Sequence, residues 1–447
     1  MAEDSVYQAS LKRLKQALTF GIDPSLDGIA ALMEAFGNPQ TQLACVQIAG
    51  TNGKSSTSRM TAALLIEEGF HVGLYTSPEL VDYPERIEVD GRVIEDDYFG
   101  STLLEVADAA DRLAATPGKP DVYTEFELLT ATALLIFYRA GVDFAVLECG
   151  MGGRWDATSV CRPAVATITG IGLDHIHILG DTVQAIAAEK AAIIRPACSV
   201  VLGPGCAETQ EVFLDRVAAC DTYARVVRPW DQDLFPSVPK ELQVLYRSYD
   251  DLLEGEIHLD VWGIHALYED IRRIAAPYQL ANIACAIATV ESLLGRKLDQ
   301  IDVLRAIRDV RLPGRFDTLR SAPLLIIDAA HNPQGAQVLA QAIQVRFPDA
   351  KPHLLLAVLK DKDATGIIEA LAPVVSGITV TQTSSHRAMP APELAALVER
   401  LSPFHPDVFD TPAQAVEALR SRGVPVVASG SITLAGAVAG YEKDGRC

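Results

Sequence analysis

The chain has 447 residues, more than one ordinary hydrophobic core accommodates, so two or three domains are expected. Its 49% hydrophobic and 21% charged residues are typical of a globular protein with large buried cores. The net charge of −20 argues against nucleic acid as a partner, since no basic field would offset the repulsion of phosphates. Anionic small molecules are compatible with this charge, because they need only a local positive pocket.

Three features predict a cytoplasmic protein. The eight cysteines are scattered without a C-x-x-C pair, which indicates reduced thiols rather than disulfides or a metal site. The amino-terminal segment is polar and acidic, unlike a signal peptide. No apolar run approaches the length of a membrane span, so we expect no association with a membrane.

The first two thirds of the chain alternate predicted strands and helices. Apolar residues at helical spacing predict helices over residues 7–18, 27–36, 59–68, 96–115, 124–139, 182–194 and 278–294. Short apolar runs predict strands over residues 43–48, 71–75, 143–150, 164–169 and 200–202, with a hairpin turn at Asp90-Gly91. Between the strand at 200–202 and about residue 256, charged residues and prolines predict only meandering loops and strands.

A break in composition at residues 311–316 (RLPGRF) divides the chain into predicted domains 1–311 and 312–447. Beyond it, strands at 324–327, 354–359, 378–381 and 426–428 alternate with helices. This alternation of strands and helices predicts a second doubly wound parallel sheet. The predicted fold class is therefore α/β: a parallel-sheet ATPase domain with a phosphate loop, followed by a smaller, Rossmann-like domain.

The first strand runs into a glycine turn of the kind that binds nucleotide phosphates. The sequence LACVQIAGTNGKSSTS spans residues 43–58, and its loop residues are Gly50, Thr51, Asn52, Gly53, Lys54, Ser55 and Ser56. Glycines let backbone N–H groups approach an anion, and the following helix adds positive potential. The match to G-x-x-x-x-G-K-[ST] is incomplete, because the first glycine would fall at Ile48. An ordinary turn between strand and helix is the alternative interpretation.

Other polar residues follow strand ends or sit inside predicted helices. Glu148 ends a strand, where it would either hold Mg²⁺ or serve as a loop carboxylate. Asp174 and His175 also follow a strand, where functional sites concentrate. Helical position alone makes Lys190 a solvated surface lysine. Asn282, near the start of its helix, would face a ligand or cap the helix.

Several motifs in order together resemble the bifunctional folylpolyglutamate synthase/dihydrofolate synthase family of the Mur ligase superfamily. The resemblance runs nearly end to end and rests on AGTNGKSS, TSPEL with ERI, LECGMGGRWDAT, ITGIGLDHIHILG, AIAAEKAAIIRP, YQLANIA, PGRF, DAAHNPQG and GSITLAG. It implies an ATP-dependent ligase that joins L-glutamate to dihydropteroate or a reduced folate through an acyl phosphate. Mg²⁺ at two sites is implied, with K⁺ as a further candidate ion. We expect a monomer whose partners are small-molecule substrates.

The resemblance also assigns roles to residues. It implies catalytic roles for Lys54, His175, Lys190, Asp328 and His331, with Lys190 carried as a carbamate. Besides the phosphate loop, it implies ATP contacts from Asn282, Arg315, Asp328 and His331. It implies metal ligands at Ser77, Glu148 and His175. The candidate substrate contacts are Pro78, Glu79, Arg86, Glu125, Phe126, Arg154, Asp156 and Arg387.

Three positions depart from the family pattern. Ser55 stands where glycine or threonine is common, and Ala329 stands where the family has glycine. Glu79 replaces a histidine, which puts an anion beside the expected metal and substrate path. We expect this change to affect recognition of the pterin.

Two other functions are alternatives. A Mur-type amino acid ligase of cell-wall synthesis would need an additional amino-terminal domain for its UDP substrate, and the chain begins almost directly at the nucleotide domain. A non-catalytic nucleotide-binding protein on the same fold would not need Lys54, Glu148, His175, Lys190 and His331 together.

Overall fold

The computed structural model describes residues 5–17, 24–249 and 256–445. These residues form two sheets with helices packed on their faces. The helices, labelled in chain order, are α1 Val6–Ala17, α2 Asp27–Ala35, α3 Lys54–Glu67, α4 Asp96–Ala114, α5 Glu125–Ala140, α6 Ile176–Leu179, α7 Val183–Ala191, α8 Gln210–Ala219, α9 Gln279–Leu294, α10 Gln300–Asp309, α11 Pro333–Arg346, α12 Ala364–Leu371, α13 Ala391–Leu401, α14 Pro412–Arg422 and α15 Ile432–Asp444.

The first sheet has eleven strands in the order β11-β10-β9-β8-β7-β6-β1-β5-β2-β3-β4. Its middle strands, from β9 to β2, pair in parallel, and the pairs at both ends are antiparallel. The strands are β1 Ala44–Ala49, β2 Val72–Tyr75, β3 Ile87–Val89, β4 Arg92–Val93, β5 Phe144–Glu148, β6 Pro163–Gly170, β7 Ser199–Gly205, β8 Ala224–Pro229, β9 Gln243–Ser248, β10 Glu256–Trp262 and β11 Leu267–Ile274.

Helices cover both faces of this sheet, so its central strands are buried on both sides. On one face, Val46 and Ile48 of β1 share a core with α3 and α9. On the other face, Cys45 packs with the side chains of α2, α4 and α5. Parallel strands require such two-sided cover. Their carboxyl ends therefore meet at one edge, where β1 and β5 end at Ala49 and Glu148.

The second sheet has six strands in the order β12-β13-β17-β14-β15-β16. All of its pairs are parallel except the pair of β12 with β13. Helices α11 to α15 pack around it in two further cores. The strands are β12 Asp317–Ser321, β13 Leu324–Ile327, β14 His353–Leu356, β15 Gly377–Thr381, β16 Asp407–Phe409 and β17 Val426–Ser429.

The α/β fold class predicted from the sequence is confirmed, and most element positions agree within a few residues. The helix after the glycine turn begins at Lys54, five residues earlier than Arg59, so the loop residues Lys54 to Ser56 lie in its first turn. The region expected to contain only loops and strands also holds α8. The domain boundary at residue 312 stays a prediction, and it falls between α10 and β12.

Two predictions from composition concern the whole chain. The seven cysteines in the described part are buried free thiols, in agreement with the expectation of reduced cysteines. Within residues 5–17, 24–249 and 256–445, no helix combines the length and apolar character needed to cross a bilayer.

Candidate active site

The phosphate loop is sterically fitted to its surroundings. Gly53 has φ of 85° and precedes α3, and a Cβ there would lie 2.5 Å from Oδ1 of Asn282. A Cβ on Gly50, where φ is 154°, would lie 2.0 Å from Oγ1 of Thr169. Both positions therefore require glycine. The Thr51 amide donates to the Gly170 carbonyl at 2.8 Å, which ties the loop to β6.

Two lysines converge on this loop. Nζ of Lys54 and Nζ of Lys190 donate to the same carbonyl oxygen, that of Gly50, at 2.9 and 3.0 Å. The expectation that Lys190 lies at the surface is wrong, because its side chain is buried at the end of α7. Burial, and then the charge of Lys54, lowers the pKa of Lys190 to about 7. A substantial fraction of this amine is therefore neutral near physiological pH.

Glu148 connects the phosphate loop to the loop after β2. Its Oε1 accepts from the Ser55 hydroxyl at 2.9 Å, and its Oε2 accepts from the Ser77 amide at 3.2 Å. Burial raises the pKa of Glu148, although the nearby charge of Lys54 favours its ionised form. The Oγ of Ser77 is buried and has no hydrogen-bond partner. A buried hydroxyl without a partner and a neighbouring buried carboxylate together offer oxygen ligands for a cation.

Arg315 and Asn282 reach the phosphate loop from later in the chain. Nη2 of Arg315 donates to the Ser55 hydroxyl at 3.3 Å. The buried Asn282 donates to Gln279, which in turn donates to the Ser56 hydroxyl at 3.1 Å. No side chain caps the start of α9. Asn282 therefore does not cap this helix, and its contact with a ligand stays a prediction.

Asp328 anchors the start of the loop between β13 and α11. Its buried carboxylate accepts from the Tyr278 hydroxyl at 2.8 Å and from the amides of Phe316 and Ala330 at 2.9 and 2.8 Å. Burial raises the pKa of Asp328. The carboxylate therefore fixes the PGRF turn and the AHN loop against the first domain.

Asp174, noted in the sequence only for its position after a strand and given no role there, is a central residue of the site. It lies 2.6 Å from Nζ of Lys362, 3.4 Å from Nε2 of His331 and 3.8 Å from Nε2 of His175. Burial acts to raise the pKa of Asp174, but its bonds to His331 and Lys362 and the nearby His175 lower it overall. Burial also lowers the pKa of His175 to about 4, and the charge of Lys362 adds to this effect. His175 is therefore neutral at pH 7.

Four of the candidate substrate residues, together with Tyr83, lie beside the loop after β2. Nε of Arg86 donates to Glu79 at 2.5 Å, and the guanidinium lies 5.3 Å from the centroid of the Tyr83 ring. The Tyr83 hydroxyl donates to Glu125 at 2.5 Å, and burial raises the pKa of this carboxyl. Glu79 thus supplies Arg86 with a partner. Phe126 lies against Gly150, where a Cβ would approach its ring to 2.7 Å.

A cleft of about 620 Å³ runs along the first domain, lined mainly by α3, the segment from β2 to β4, and α10. Ser55 and Arg315 line it near the phosphate loop, and Pro78 and Glu79 line it on the side of the loop after β2. Ile432 of the second domain also contributes. The cleft therefore reaches the phosphate loop at Ser55 and the loop after β2 at Pro78 and Glu79.

The other three candidate substrate residues have structural partners. Nε of Arg154 donates to Glu189 at 3.0 Å, and Nε of Arg387 donates to Asp361 at 3.1 Å. The buried Asp156 accepts from the amide of Met151 at 2.9 Å. Their proposed contacts with a substrate stay predictions.

Comparison with known proteins finds a matching family in each of the two predicted domains. Residues 99–200 match the Mur ligase middle domain, and residues 314–432 match the Mur ligase glutamate ligase domain. The chain is 39% identical over 400 residues to the dihydrofolate synthase/folylpolyglutamate synthase of Mycobacterium tuberculosis, covering 86% of this chain and 79% of that protein. The protein of the same name from Bacillus subtilis is 32% identical over 87% of this chain and 88% of its own length.

Solved structures show the same similarity. The M. tuberculosis folylpolyglutamate synthase complexed with ADP superposes with a TM-score of 0.87 at 34% identity, covering 98% of this chain and 99% of that one. E. coli FolC in complex with DHPP and ADP gives a TM-score of 0.85 at 26% identity, with 100% coverage of both chains. By sequence and by fold, the chain belongs to the dihydrofolate synthase/folylpolyglutamate synthase family of the Mur ligases.

Proposed function

We propose that this chain uses ATP to join L-glutamate to the carboxylate of dihydropteroate or of a reduced folate. The observation that carries this proposal is the convergence of Lys54, Lys190 and Glu148 at the phosphate loop, where Gln334 of the second domain accepts a hydrogen bond from Asn52. A site of this kind brings a nucleotide phosphate and an acceptor carboxylate together in the cleft. The monomeric state stays a prediction. The cytoplasmic location stays a prediction.

The chemistry follows from the poor electrophilicity of a carboxylate. A substrate carboxylate oxygen attacks the γ-phosphorus of ATP, and ADP leaves, so an acyl phosphate forms. The amino nitrogen of glutamate then attacks the acyl carbon, inorganic phosphate leaves with the C–O bond electrons, and the nitrogen loses a proton to solvent. Lys54 stabilises the charge on the transferring phosphoryl group. Asn282, Arg315, Asp328 and His331 position the nucleotide and the second domain around it.

The residues at the loop fit a magnesium ion. Ser77 and Glu148 would hold one ion, since Oγ of Ser77 is buried without a partner next to the Glu148 carboxylate. In the described residues, no group of three His, Cys, Asp or Glu side chains gathers as a metal site. Mg²⁺ takes few protein ligands and completes its shell with phosphates and water. Bound there, the ion would neutralise phosphate charge. The neutral His175 would hold a second ion, and the K⁺ site stays a prediction.

The substitution Ser77→Ala separates metal binding from folding. It removes a buried hydroxyl that has no hydrogen-bond partner, so we expect the melting temperature to stay the same or rise. The Mg²⁺ concentration for half-maximal activity should rise by about tenfold. Magnesium titration of turnover, with thermal melting of the same sample, measures both. An unchanged magnesium requirement would remove Ser77 from the proposed ligands.

We further propose that Lys190 carries a carbamate. The neutral amine attacks the carbon of CO₂, a new N–C bond forms, and one proton is released to solvent. Its lowered pKa and its burial beside Lys54 support this assignment, because the product anion would lie next to a cation. The reaction replaces one of two adjacent positive charges by a negative one.

The Glu79–Arg86 pair and Glu125 are the proposed pterin-side contacts, together with Pro78 and Phe126. Glu79 and Arg86 lie close enough to neutralise each other. Arg154, Asp156 and Arg387 are weaker candidates, since each is already bound to protein partners. A cell-wall ligase function finds no support in the relatives described above.

Phosphate release tests the proposed function. Purified protein with ATP and Mg²⁺ is offered dihydropteroate or tetrahydrofolate, with and without L-glutamate. We expect release that requires both the pteridine and glutamate. Release that is independent of both pteridines would refute the proposal, and an absence of ATP turnover with every substrate would favour a binding protein.

A further inference from the structure

Two loops from different sheets meet in a buried ion pair that no proposed substrate contact explains. Nζ of Lys362, in the loop before α12, lies 2.6 Å from Oδ1 of Asp174, in the loop after β6. The two side chains are 10% and 11% exposed. An ion pair this well buried is costly to break on one side only, because the remaining charge is left without a partner.

Asp174 also fixes both histidines of the proposed site. Nδ1 of His331 lies 2.8 Å from the Ala329 carbonyl, which can only accept, so Nδ1 carries a proton and Nε2 faces Asp174. The amide of His175 donates to Oδ1 of Asp174 at 2.9 Å. His175 has φ of 51°, a left-handed conformation that needs such local support. One carboxylate thus holds a backbone turn in the first domain and a side chain in the second.

A neighbouring contact joins the same two domains. Nδ2 of Asn52, in the phosphate loop, donates to Gln334 at 2.9 Å, and Gln334 lies in the first turn of α11. Its Oε1 lies so near Gly172 that a Cβ there would approach it to 2.2 Å. The second domain is therefore seated directly on the phosphate loop and on the loop that carries Asp174.

From these contacts we infer that the Lys362–Asp174 pair is the interdomain latch that positions His331 and His175 for phosphoryl transfer. The pair acts through the histidines and through domain placement, so both are positioning residues rather than catalytic ones. The inference rests on the proposed function for the roles of the two histidines. The seating of the domains that it describes is independent of that function.

The variant Lys362→Met keeps the length of the side chain and removes its charge. We expect kcat to fall by about tenfold or more, with the KM for glutamate unchanged. Lys362→Arg should recover most of the activity, since it restores the charge. As a control, Arg422→Met breaks an exposed pair with Asp407 within the second domain and should leave kcat unchanged.

Coupling between the two residues supplies the decisive result. The double variant Asp174→Asn with Lys362→Met should be no slower than the slower single variant, because both changes break one latch. The inference would be overturned if the loss of kcat in the double variant equalled the product of the two single losses. A raised KM for glutamate or wild-type kcat in Lys362→Met would also overturn it. Circular dichroism and melting curves verify that the variants fold.

A structural readout separates this inference from the proposed function. Small-angle X-ray scattering with saturating ADP should give a larger radius of gyration for Lys362→Met than for wild type or Arg422→Met. This measurement holds even for a protein that shows no ligase turnover. An unchanged radius in a folded Lys362→Met variant would refute the latch.

Discussion

Replacing Lys190 by alanine is expected to lower kcat by about 10²–10³-fold, while ATP still binds. Nζ of this lysine lies 3.0 Å from the Gly50 carbonyl, beside Lys54, so its loss changes the charge directly at the phosphate loop. The loop itself is held by other contacts, among them the Thr51–Gly170 hydrogen bond. Steady-state kinetics and isothermal titration with ADP measure the two quantities separately. Full activity in Lys190→Ala would refute its catalytic role.

The carbamate assignment has its own controls. Removal of dissolved CO₂ should lower the activity of the wild-type protein, and bicarbonate should restore it. Recovery should be greater at about pH 8 than at about pH 6, because only the neutral amine reacts and the pKa of Lys190 is about 7. Lys190→Ala should not respond, and Lys443→Ala, at an exposed position, should behave as wild type. A bicarbonate response in Lys190→Ala would place the effect elsewhere.

The variant Gly436→Ala is expected to lower kcat/KM by about 10²-fold, because it forces the two sides of the cleft apart. A Cβ on Gly436 of α15 would lie 1.9 Å from the carbonyl oxygen of Leu80, a distance that no relaxation of a side chain relieves. Either α15 or the segment after Ser77 must move. Since the Ser77 amide donates to Glu148, movement of this segment would also disturb the proposed metal site.

Gly440 provides a matched control on the same helix. A Cβ there would lie 3.5 Å from Cγ1 of Val81, an ordinary van der Waals contact. We therefore expect Gly440→Ala to retain wild-type kinetics, and helix propensity favours alanine over glycine. Kinetics and melting curves of the two variants in parallel test the geometry. Equal effects of the two substitutions would show that the contact with Leu80 does not decide activity.

Sequence patterns predicted those features that depend on local order. The carboxyl-end position of Glu148 followed from the parallel sheet, whose strand ends meet at one edge. The glycine turn is predicted because the backbone must approach a phosphate there. The start of α3 at Lys54 is not predicted. The first residues of α3, Lys54, Ser55 and Ser56, are polar, so the spacing of apolar residues does not show that the helix begins there.

Features that depend on which surfaces meet were missed. Helical spacing does not show which neighbour covers the end of α7, so Lys190 was assigned to the surface although it is buried. The pair of Asp174 and Lys362 joins residues 188 positions apart, on loops of different sheets. The sequence predicts a strand before each of these loops, but only the relative placement of the loops shows that they touch. The resemblance to a known family implied the role of Lys190 but gave no role to Asp174 or Lys362.

The transfer of one oxygen atom from substrate to phosphate tests the central claim most directly. The substrate carboxylate is labelled with ¹⁸O on both oxygens, and the inorganic phosphate released during glutamate addition is analysed by mass spectrometry. An acyl phosphate requires that each phosphate carry one labelled oxygen and that the other remain in the new amide. Phosphate without label, formed together with the amide product, would contradict the proposed mechanism.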